Sequence, residues 1–285
     1  MSTVLLSIPE LLTLTEKEPT VIIDTRSPEA YAAGHIPGAV NIHDIFTYLA
    51  TSTPEGLDAL KAKFSEAFGK AGLSGKETAV IYEEAMNTGF GQSPRGYVLL
   101  SYLGYPKISI LHGGYRAWLD AGLPVSTEVP EVTPVEFPLV DTGTELLIGK
   151  DEVLAALDDE SVVLLDVRDI DEWIGTSSSP YGKDFCPRKG RLPGARWIEW
   201  YRFMKPGATP LYKAAEEILA ECHTVGIRPD TPVYLYCFKG ARASNTLVAL
   251  KAAGIENVKL YFGSWNEWSR DPELPIQSGL PYAQA

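Results

Sequence analysis

The chain has 285 residues, enough for two ordinary domains, and its 45% hydrophobic and 22% charged residues are typical of a soluble globular protein. A net charge of -12 argues against nucleic acid or an anionic membrane as a partner, because both need a basic surface. Three cysteines without a paired motif argue against a disulfide framework, and neither a membrane-spanning run nor a secretory signal is visible, so we predict a cytoplasmic protein.

Strands and helices alternate along the first half of the chain, which predicts a parallel sheet covered by helices. The clearest helix is amphipathic, with Leu60, Phe64 and Phe68 on one face. In chain order, the predicted elements are a helix from Ser7, a strand at 21–24, a helix near Glu29, a strand at 40–42, helix 57–71, strand 79–82, a loop at 83–92, a helix from Ser93 and Pro94 to about Leu103, strand 108–111, and a helix through Trp118.

The same pattern starts again after an aperiodic stretch rich in Pro, Val, Thr and Glu. Asp24-Thr-Arg26 recurs as Asp166-Val-Arg168, and we predict that each Asp caps the helix after it and that each Arg joins neighbouring loops. The further matched pairs are residues 34–39 with 190–195, Tyr31 with Trp173, Tyr82 with Tyr236, Arg95 with Arg242, and Trp118 with Trp268. We therefore predict two α/β domains, 1–127 and 145–285, joined by a linker at 128–144.

A cysteine in the second repeat lies where a strand passes into a helix. Cys237 follows the apolar run 232–236 and precedes a helical pattern. Such a loop directs backbone N–H groups and the helix dipole at one spot, which favours a thiolate. Lys239 and Arg242 add positive charge, and Gly240 permits the tight turn. We predict that Cys237 is a nucleophile; the alternative is a buried structural cysteine.

The length of this loop restricts the chemistry. Four residues separate Cys237 from Arg242, whereas cysteine phosphatases place five between their cysteine and arginine. A smaller ring has less room for a phosphoryl group and fits a persulfide, which is one sulfur atom bonded to the cysteine. Two alternatives stay open: a low-activity phosphatase or arsenate reductase, and a non-catalytic module that binds sulfur.

The first repeat has no thiol at the matching place. Glu83 takes the position of Cys237, Glu84 follows it, and the loop is longer. An anion would meet negative charge there, so we predict that the first repeat is catalytically inactive and has a structural role.

An insertion at 174–190 interrupts the second repeat and is rich in Gly, Ser, Pro and basic residues. We consider a lid in which Arg188 and Arg191 offer positive charge to an anionic donor; the alternative is a solvated loop. Cys186 within it is either a sulfur-accepting thiol or incidental. Neither the cysteines nor the histidines show metal-ligand spacing, so we predict neither a metal nor a cofactor.

The pattern Cys-x-x-Gly-x-Arg, the two Asp-x-Arg motifs and the motif at 34–39 resemble the tandem-domain rhodanese family of sulfurtransferases. The resemblance covers nearly the whole chain and implies two domains, each a five-stranded parallel sheet flanked by helices. It also implies a ping-pong reaction through a persulfide on Cys237, with sulfur passing from a small anionic donor to cyanide or a thiol. By this resemblance the donor is bound by a loop comprising Phe238, Lys239, Gly240, Ala241 and Arg242.

Two departures from the family bear on the donor. Active tandem members carry an arginine shortly after the second Asp-x-Arg, where this chain has acidic residues at 169–172. Lys239 matches the loop lysine of thiosulfate sulfurtransferases, whereas 3-mercaptopyruvate sulfurtransferases more often have small residues there. We therefore predict thiosulfate as the donor, with 3-mercaptopyruvate as the alternative. Arg242 either binds the donor or supports the loop.

Overall fold

The computed structural model describes residues 4–140 and 146–281, so the last four residues of the predicted linker, 141–144, lie outside the described residues. The N-terminal half contains β1 (Leu5–Leu6), α1 (Ile8–Lys17), β2 (Thr20–Asp24), α2 (Pro28–Ala33), β3 (Val40–Asn41), α3 (Asp44–Thr47), α4 (Pro54–Lys70), β4 (Thr78–Tyr82), α5 (Gln92–Tyr102), β5 (Ile108–Leu111) and α6 (Gly114–Asp120). Within the described ranges, none of the helices is long and apolar enough to cross a membrane.

The C-terminal half repeats this succession with additional short elements. It contains β6 (Leu147–Ile148), α7 (Lys150–Ala156), β7 (Val163–Asp166), α8 (Ile170–Trp173), β8 (Arg196–Trp197), a 3-10 helix (Trp200–Phe203), β9 (Met204–Lys205), β10 (Leu211–Tyr212), α9 (Ala215–His223), β11 (Val233–Tyr236), α10 (Ala241–Ala252), β12 (Val258–Tyr261) and α11 (Ser264–Trp268).

Each half builds a five-stranded parallel sheet. The strand order is β1-β5-β4-β2-β3 in the first sheet and β6-β12-β11-β7-β8 in the second. These orders are identical once strands are matched along the chain, so the repeat in the sequence is a repeat of the fold. The predicted fold class, two domains with five-stranded parallel sheets flanked by helices, is confirmed. A separate two-stranded sheet pairs β9 with β10.

The chain divides into two compact units, each interrupted in sequence. The first comprises Met1–Tyr48, Asp58–Gly143 and Met204–Leu211, and the second comprises Leu49–Leu57, Thr144–Phe203 and Tyr212–Ala285. The domain limits at 127 and 145 remain predictions.

The cores of the two units use matching positions. Both are built from apolar side chains of the sheet, of the strand-following turns and of the last helix, and aromatic residues contribute much of the buried area. The matched buried residues of the two clusters are Leu6 and Ile148, Leu11 and Val153, Ile22 and Leu164, Ile36 and Leu192, Tyr82 and Tyr236, and Trp118 and Trp268. Leu60, Phe64 and Phe68 of α4 are also buried, as their spacing predicts.

The described part of the predicted linker has no helix or strand after Ser126, yet it is held against the first unit. The Phe137 ring is buried and lies 5.7 Å from the ring of Phe68 and 5.5 Å from that of Tyr105. The Val135 N–H donates to the Gly69 carbonyl at 3.0 Å. An aperiodic stretch without helix or strand is therefore held by packing of Phe137 and by hydrogen bonds to other segments of the unit.

A buried cluster of Asp, Arg and Tyr recurs in both units and corrects one prediction. In the second unit the Asp166 carboxylate accepts from the Arg168 guanidinium at 2.6 Å and from the Tyr236 hydroxyl at 2.6 Å. The Arg168 guanidinium also donates to the Gly190 carbonyl at 2.8 Å, so the predicted joining of loops by this arginine is confirmed. The predicted cap is wrong, because Asp169 is the N-cap of α8 and the Asp166 carboxylate is engaged with Arg168 and Tyr236.

The cluster in the first unit is built in the same way. The Asp24 carboxylate accepts from Arg26 at 2.7 Å and from the Tyr82 hydroxyl at 2.5 Å. Ser27 is the N-cap of α2, so the predicted cap by Asp24 is wrong here too. In both units the Asp therefore fixes its own arginine and the tyrosine at the end of the neighbouring strand.

The helix after the long loop of the first unit begins earlier than its sequence indicates. Gly91, with φ of +81°, is the N-cap of α5, and Gly240, with φ of +89°, is the N-cap of α10. The N–H of Arg95 donates to the Gly91 carbonyl as that of Ser244 donates to the Gly240 carbonyl. Arg95 therefore corresponds to Ser244, and the predicted match with Arg242 is wrong because the loop lengths differ.

Candidate active site

The candidate site is the turn between β11 and α10. Cys237 comes directly after β11, which lies between β7 and β12 in the sheet. Gly240 closes the turn in the left-handed region, and its N–H donates to the Cys237 sulfur, with nitrogen and sulfur 3.1 Å apart. An amide at a helix N-terminus thus points at the sulfur, an arrangement that stabilises negative charge there.

The outer side of this turn is fixed by α11. The carbonyls of Cys237 and Phe238 accept from the N–H groups of Trp265 at 3.0 Å and Asn266 at 2.9 Å. The Cys237 N–H donates to the Ser264 hydroxyl at 3.2 Å. Because the carbonyls point outward to α11, the turn is held in one conformation before any substrate arrives.

The turn is covered by aromatic side chains that the sequence did not predict. Cys237 is 1% exposed and Phe238 is 2% exposed. The Phe238 ring lies 5.4 Å from that of Tyr181 and 5.8 Å from that of Phe185, both about half exposed and both from the insertion. A signal was present: these are the two aromatic residues in an otherwise polar loop.

Lys239 extends toward the same cover. Its ammonium nitrogen lies 5.0 Å from the centre of the Tyr181 ring, a cation–π distance. Lys239 and Phe238 thus both lie against Tyr181 of the insertion, next to the turn that contains Cys237 and Gly240, and their role in donor binding stays a prediction. Ala241, the first residue of α10, is buried behind the turn.

Arg242 is engaged by acidic residues. Its two terminal nitrogens donate to the Glu172 carboxylate at 2.6 Å and 3.0 Å, and Nη1 also lies 3.0 Å from the Asp169 carboxylate. Burial lowers the pKa of Arg242, but the charge and hydrogen bonds of Glu172 outweigh burial and raise it. Arg242 is thus in place as a support of the loop, and donor binding by Arg242 remains a prediction.

The two arginines considered for the lid donate to backbone carbonyls of the second unit. The Arg188 guanidinium donates to the carbonyls of Trp268 at 2.7 Å, Ser269 at 2.9 Å and Leu274 at 2.7 Å, and also to that of Asp271. Arg191 is 1% exposed and donates to the Gly279 carbonyl at 2.8 Å. A guanidinium used in this way anchors the insertion, and a role in donor binding remains a prediction for both.

The other two cysteines lie in different surroundings. Burial raises the pKa of the Cys186 thiol, and burial, with the Glu221 charge second, raises that of Cys222 to about 12. The Cys186 sulfur contacts Asn266 at 4.0 Å and Arg270 at 3.9 Å, whereas Cys222 lies in α9. Both are free thiols, as is Cys237, and a raised pKa keeps a thiol protonated and weakly nucleophilic.

The equivalent place in the first unit is occupied by a carboxyl group. Glu83 follows β4 as Cys237 follows β11, and its carbonyl accepts from the Tyr115 N–H at 2.8 Å. The side chain turns back to the start of α5, where the Ser93 N–H donates to Oε2 at 3.1 Å. Burial raises the pKa of Glu83 to about 8, against the lowering effect of the Ser93 and Gln92 amides. The Glu83 side chain thus occupies the turn after β4, which corresponds to the turn after β11.

Both units match one family model. The rhodanese-like domain matches residues 7–121 and again residues 149–271. The chain is 30% identical over 274 residues to a thiosulfate sulfurtransferase of Azotobacter vinelandii, covering 95% of this chain and 93% of that protein. It is 27% identical over 255 residues to a 3-mercaptopyruvate sulfurtransferase of Escherichia coli strain K12, covering 89% of this chain and 87% of that protein.

A solved structure of EanB, described as a cysteine persulfide in a tetrahedral intermediate state with ergothioneine, is similar as well. It superimposes with a TM-score of 0.80 at 27% identity and covers 93% of this chain, which spans 66% of the EanB chain. Two matches to one family model, and relatives that align along nearly the whole chain, show that the chain belongs to the rhodanese-like domain family and carries two copies of that domain. The chain is an enzyme, a sulfurtransferase similar to thiosulfate sulfurtransferases.

Proposed function

We propose that this protein moves sulfane sulfur from thiosulfate to cyanide or a thiol through a persulfide on Cys237. The observation that carries the proposal is the Gly240 N–H directed at the Cys237 sulfur across 3.1 Å, in a turn that opens a helix. That amide stabilises an anionic sulfur in the free enzyme and after a second sulfur is attached.

In the first half-reaction the Cys237 thiolate attacks the outer sulfur of thiosulfate. A bond forms between the two sulfur atoms, the sulfur–sulfur bond of thiosulfate breaks, and sulfite leaves with the electron pair. Lys239, whose ammonium lies over the Tyr181 ring beside the turn, is the residue that we assign to the charge of the donor.

In the second half-reaction cyanide or an acceptor thiolate attacks the outer sulfur of the persulfide. The sulfur–sulfur bond breaks and the Cys237 thiolate is regenerated. The cycle starts from a reduced cysteine and returns to it, which is in keeping with the cytoplasm as the compartment that we propose.

Intact-mass spectrometry after incubation with thiosulfate tests the proposal. We expect a gain of one sulfur per chain that cyanide removes, and its absence in Cys237→Ser. The Cys222→Ser variant is the matched control, because it removes a buried thiol from α9 and leaves the turn intact. Transfer that persists in Cys237→Ser would refute the assignment.

The choice of donor needs parallel kinetics with thiosulfate and 3-mercaptopyruvate. Similarity to proteins named for each donor leaves both open, and Lys239 is the reason for preferring thiosulfate. We expect the larger kcat/KM for thiosulfate. A larger value for 3-mercaptopyruvate would retain the persulfide on Cys237 and replace the donor, whereas turnover of a phosphate ester would favour the phosphatase alternative.

A further inference from the structure

The start of α8 and the start of α10 meet in one acidic cluster around a single guanidinium. Arg242 binds both oxygens of Glu172, at 2.6 Å and 3.0 Å, and lies 3.0 Å from Asp169. A carboxylate oxygen of Asp171 lies within 4.8 Å of those of the other two residues. Glu172 and Arg242 are 0% and 4% exposed, so water screens their interaction poorly.

The charges of this cluster do not favour an anion. Two carboxylates contact the guanidinium of Arg242 and a third lies beside them, so its positive charge is balanced before a ligand arrives. The cluster as a whole therefore attracts an incoming anion only weakly.

We infer that Glu172 is a specificity-determining residue, which keeps Arg242 as a support of the turn and withholds its charge from the sulfur donor. The inference rests on the proposed function and adds a feature to it. The enzyme binds a doubly charged donor such as thiosulfate more weakly than it would if the charge of Arg242 were also available to the donor. The acidic start of α8 thus sets how strongly the site prefers donors of higher charge.

The variant Glu172→Gln separates charge from shape. Glutamine keeps the size of the side chain and one oxygen that accepts from Arg242, but it removes the negative charge. Removing one member of a buried ion pair also lowers stability, because the remaining charge is uncompensated. A bound anion then supplies the missing partner, so the variant gains more from thiosulfate than the parent protein does.

Calorimetry of thiosulfate binding tests the inference without turnover. The parent for this experiment is Cys237→Ser, which retains the turn and forms no persulfide. Adding Glu172→Gln is expected to lower the Kd for thiosulfate by about threefold to tenfold, with a smaller gain at high salt. Asp169→Asn, at a position that is 36% exposed, is expected to shift the Kd in the same direction by less.

The matched control is Glu221→Gln, which removes a carboxylate that pairs with Lys213 and Arg202 in the same unit. It is expected to leave the Kd unchanged. Equal or weaker thiosulfate binding in both Glu172→Gln and Asp169→Asn would overturn the inference, and Asp169→Asn decides it alone if Glu172→Gln fails to fold.

Kinetics of the enzyme with Cys237 intact give a second measure. Glu172→Gln is expected to lower the KM for thiosulfate with a smaller change in kcat, because the gain lies in binding rather than in attack by the sulfur. Failure of the native protein to form any persulfide would refute the proposed function, while the calorimetric comparison would still decide the role of Glu172.

Discussion

At the scale of single residues, the candidate site depends on positions that tolerate few alternatives. Gly240 adopts a left-handed backbone and approaches Phe262, Cys237 supplies the sulfur, and Glu83 fills the equivalent turn of the first unit. Each follows from local chemistry: a glycine without a Cβ, a sulfur facing an amide, and a carboxyl group folded onto helix amides. Substitutions at these positions therefore have distinct and separable outcomes.

Replacing Gly240 by Ala is expected to lower stability by about 2 kcal/mol and to abolish persulfide formation. A Cβ there would lie 3.0 Å from the Phe262 ring, and the φ of +89° disfavours any side chain. Gly254→Ala is the control, since Gly254 has a φ of +86° with no atom within 4 Å of the added Cβ. Urea unfolding and intact mass measure both effects; equal losses in the two variants would mean that contact with Phe262 is unimportant.

Replacing Glu83 by Gln is expected to flatten the dependence of stability on pH. Burial raises the pKa of Glu83 from 4.5 to about 8 in the folded protein, so the folded state holds a proton that the unfolded state releases. The stability that protonated Glu83 contributes is fully present below the unfolded-state pKa of 4.5. It is lost as the pH rises through the folded-state pKa of about 8, a change in the free energy of unfolding on the order of a few kcal/mol.

Urea unfolding at several pH values between about 5 and 9 measures this loss. The native protein should lose more stability over that range than Glu83→Gln does. Glu84→Gln, which changes the adjacent half-exposed carboxylate, is the control and should follow the native protein. Parallel curves for the native protein and Glu83→Gln would contradict the raised pKa.

At the scale of elements, the insertion in the second repeat is buried near its start and anchored near its end, whereas its middle, residues 180–185, is exposed. Ser177, Ser178 and Ser179 are buried, and the Ser178 hydroxyl accepts from the Cys186 N–H at 2.9 Å. Arg188 fastens the end of the insertion to the segment after α11. A loop with both ends held can keep two half-exposed rings over the turn, which a mobile loop cannot.

Removal of a ring from this cover should open the site. Phe185→Ala is expected to raise the rate at which iodoacetamide alkylates Cys237 by about threefold to tenfold, because the Phe238 ring beside the sulfur loses one of its two covering partners. Peptide mapping by mass spectrometry gives the rate for each cysteine. Phe90→Ala, at a similarly exposed ring in the first unit, is the control. An unchanged rate would show that Phe185 does not limit access.

At the scale of the whole molecule, one fold occurs twice with different chemistry in each copy. Both units share the strand order and the buried Asp, Arg and Tyr cluster, but a thiol, Cys237, follows β11, whereas Glu83 follows the matching strand β4. Because the net charge is -12, attraction of the proposed anionic donor has to come from local charges and not from the molecule as a whole.

The duplicated cluster provides a comparison between the units. Tyr82→Phe and Tyr236→Phe each remove a buried hydroxyl from an Asp carboxylate, so each is expected to cost about 1–3 kcal/mol of stability. Tyr236 directly precedes Cys237, the proposed nucleophile, and we expect its substitution to slow persulfide formation, whereas Tyr82→Phe should not. Urea unfolding and the rate of sulfur loading measure the two effects; equal effects on loading would contradict a local role for Tyr236.

The sequence by itself determined the fold class, the repeat and the position of the predicted nucleophile. Hydrophobic periodicity and turn residues are local properties, and β11, Cys237, Gly240 and α10 are contiguous in the chain. The start of α5 was misplaced because loops of different length hide which residue corresponds to which, and this produced the wrong match for Arg95.

Only the tertiary structure decided which side chains meet across long separations. Glu172 and Arg242 are 70 residues apart in the chain, and Arg188 and Trp268 are 80 apart. The local sequence around one partner does not indicate which residue the other partner is. The basic residues of the insertion predicted a charged lid, but folding turned Arg188 toward backbone carbonyls and left Tyr181 and Phe185 over the turn. Packing, which no local pattern encodes, assigns each charge its partner and so decides which charges remain to meet a substrate.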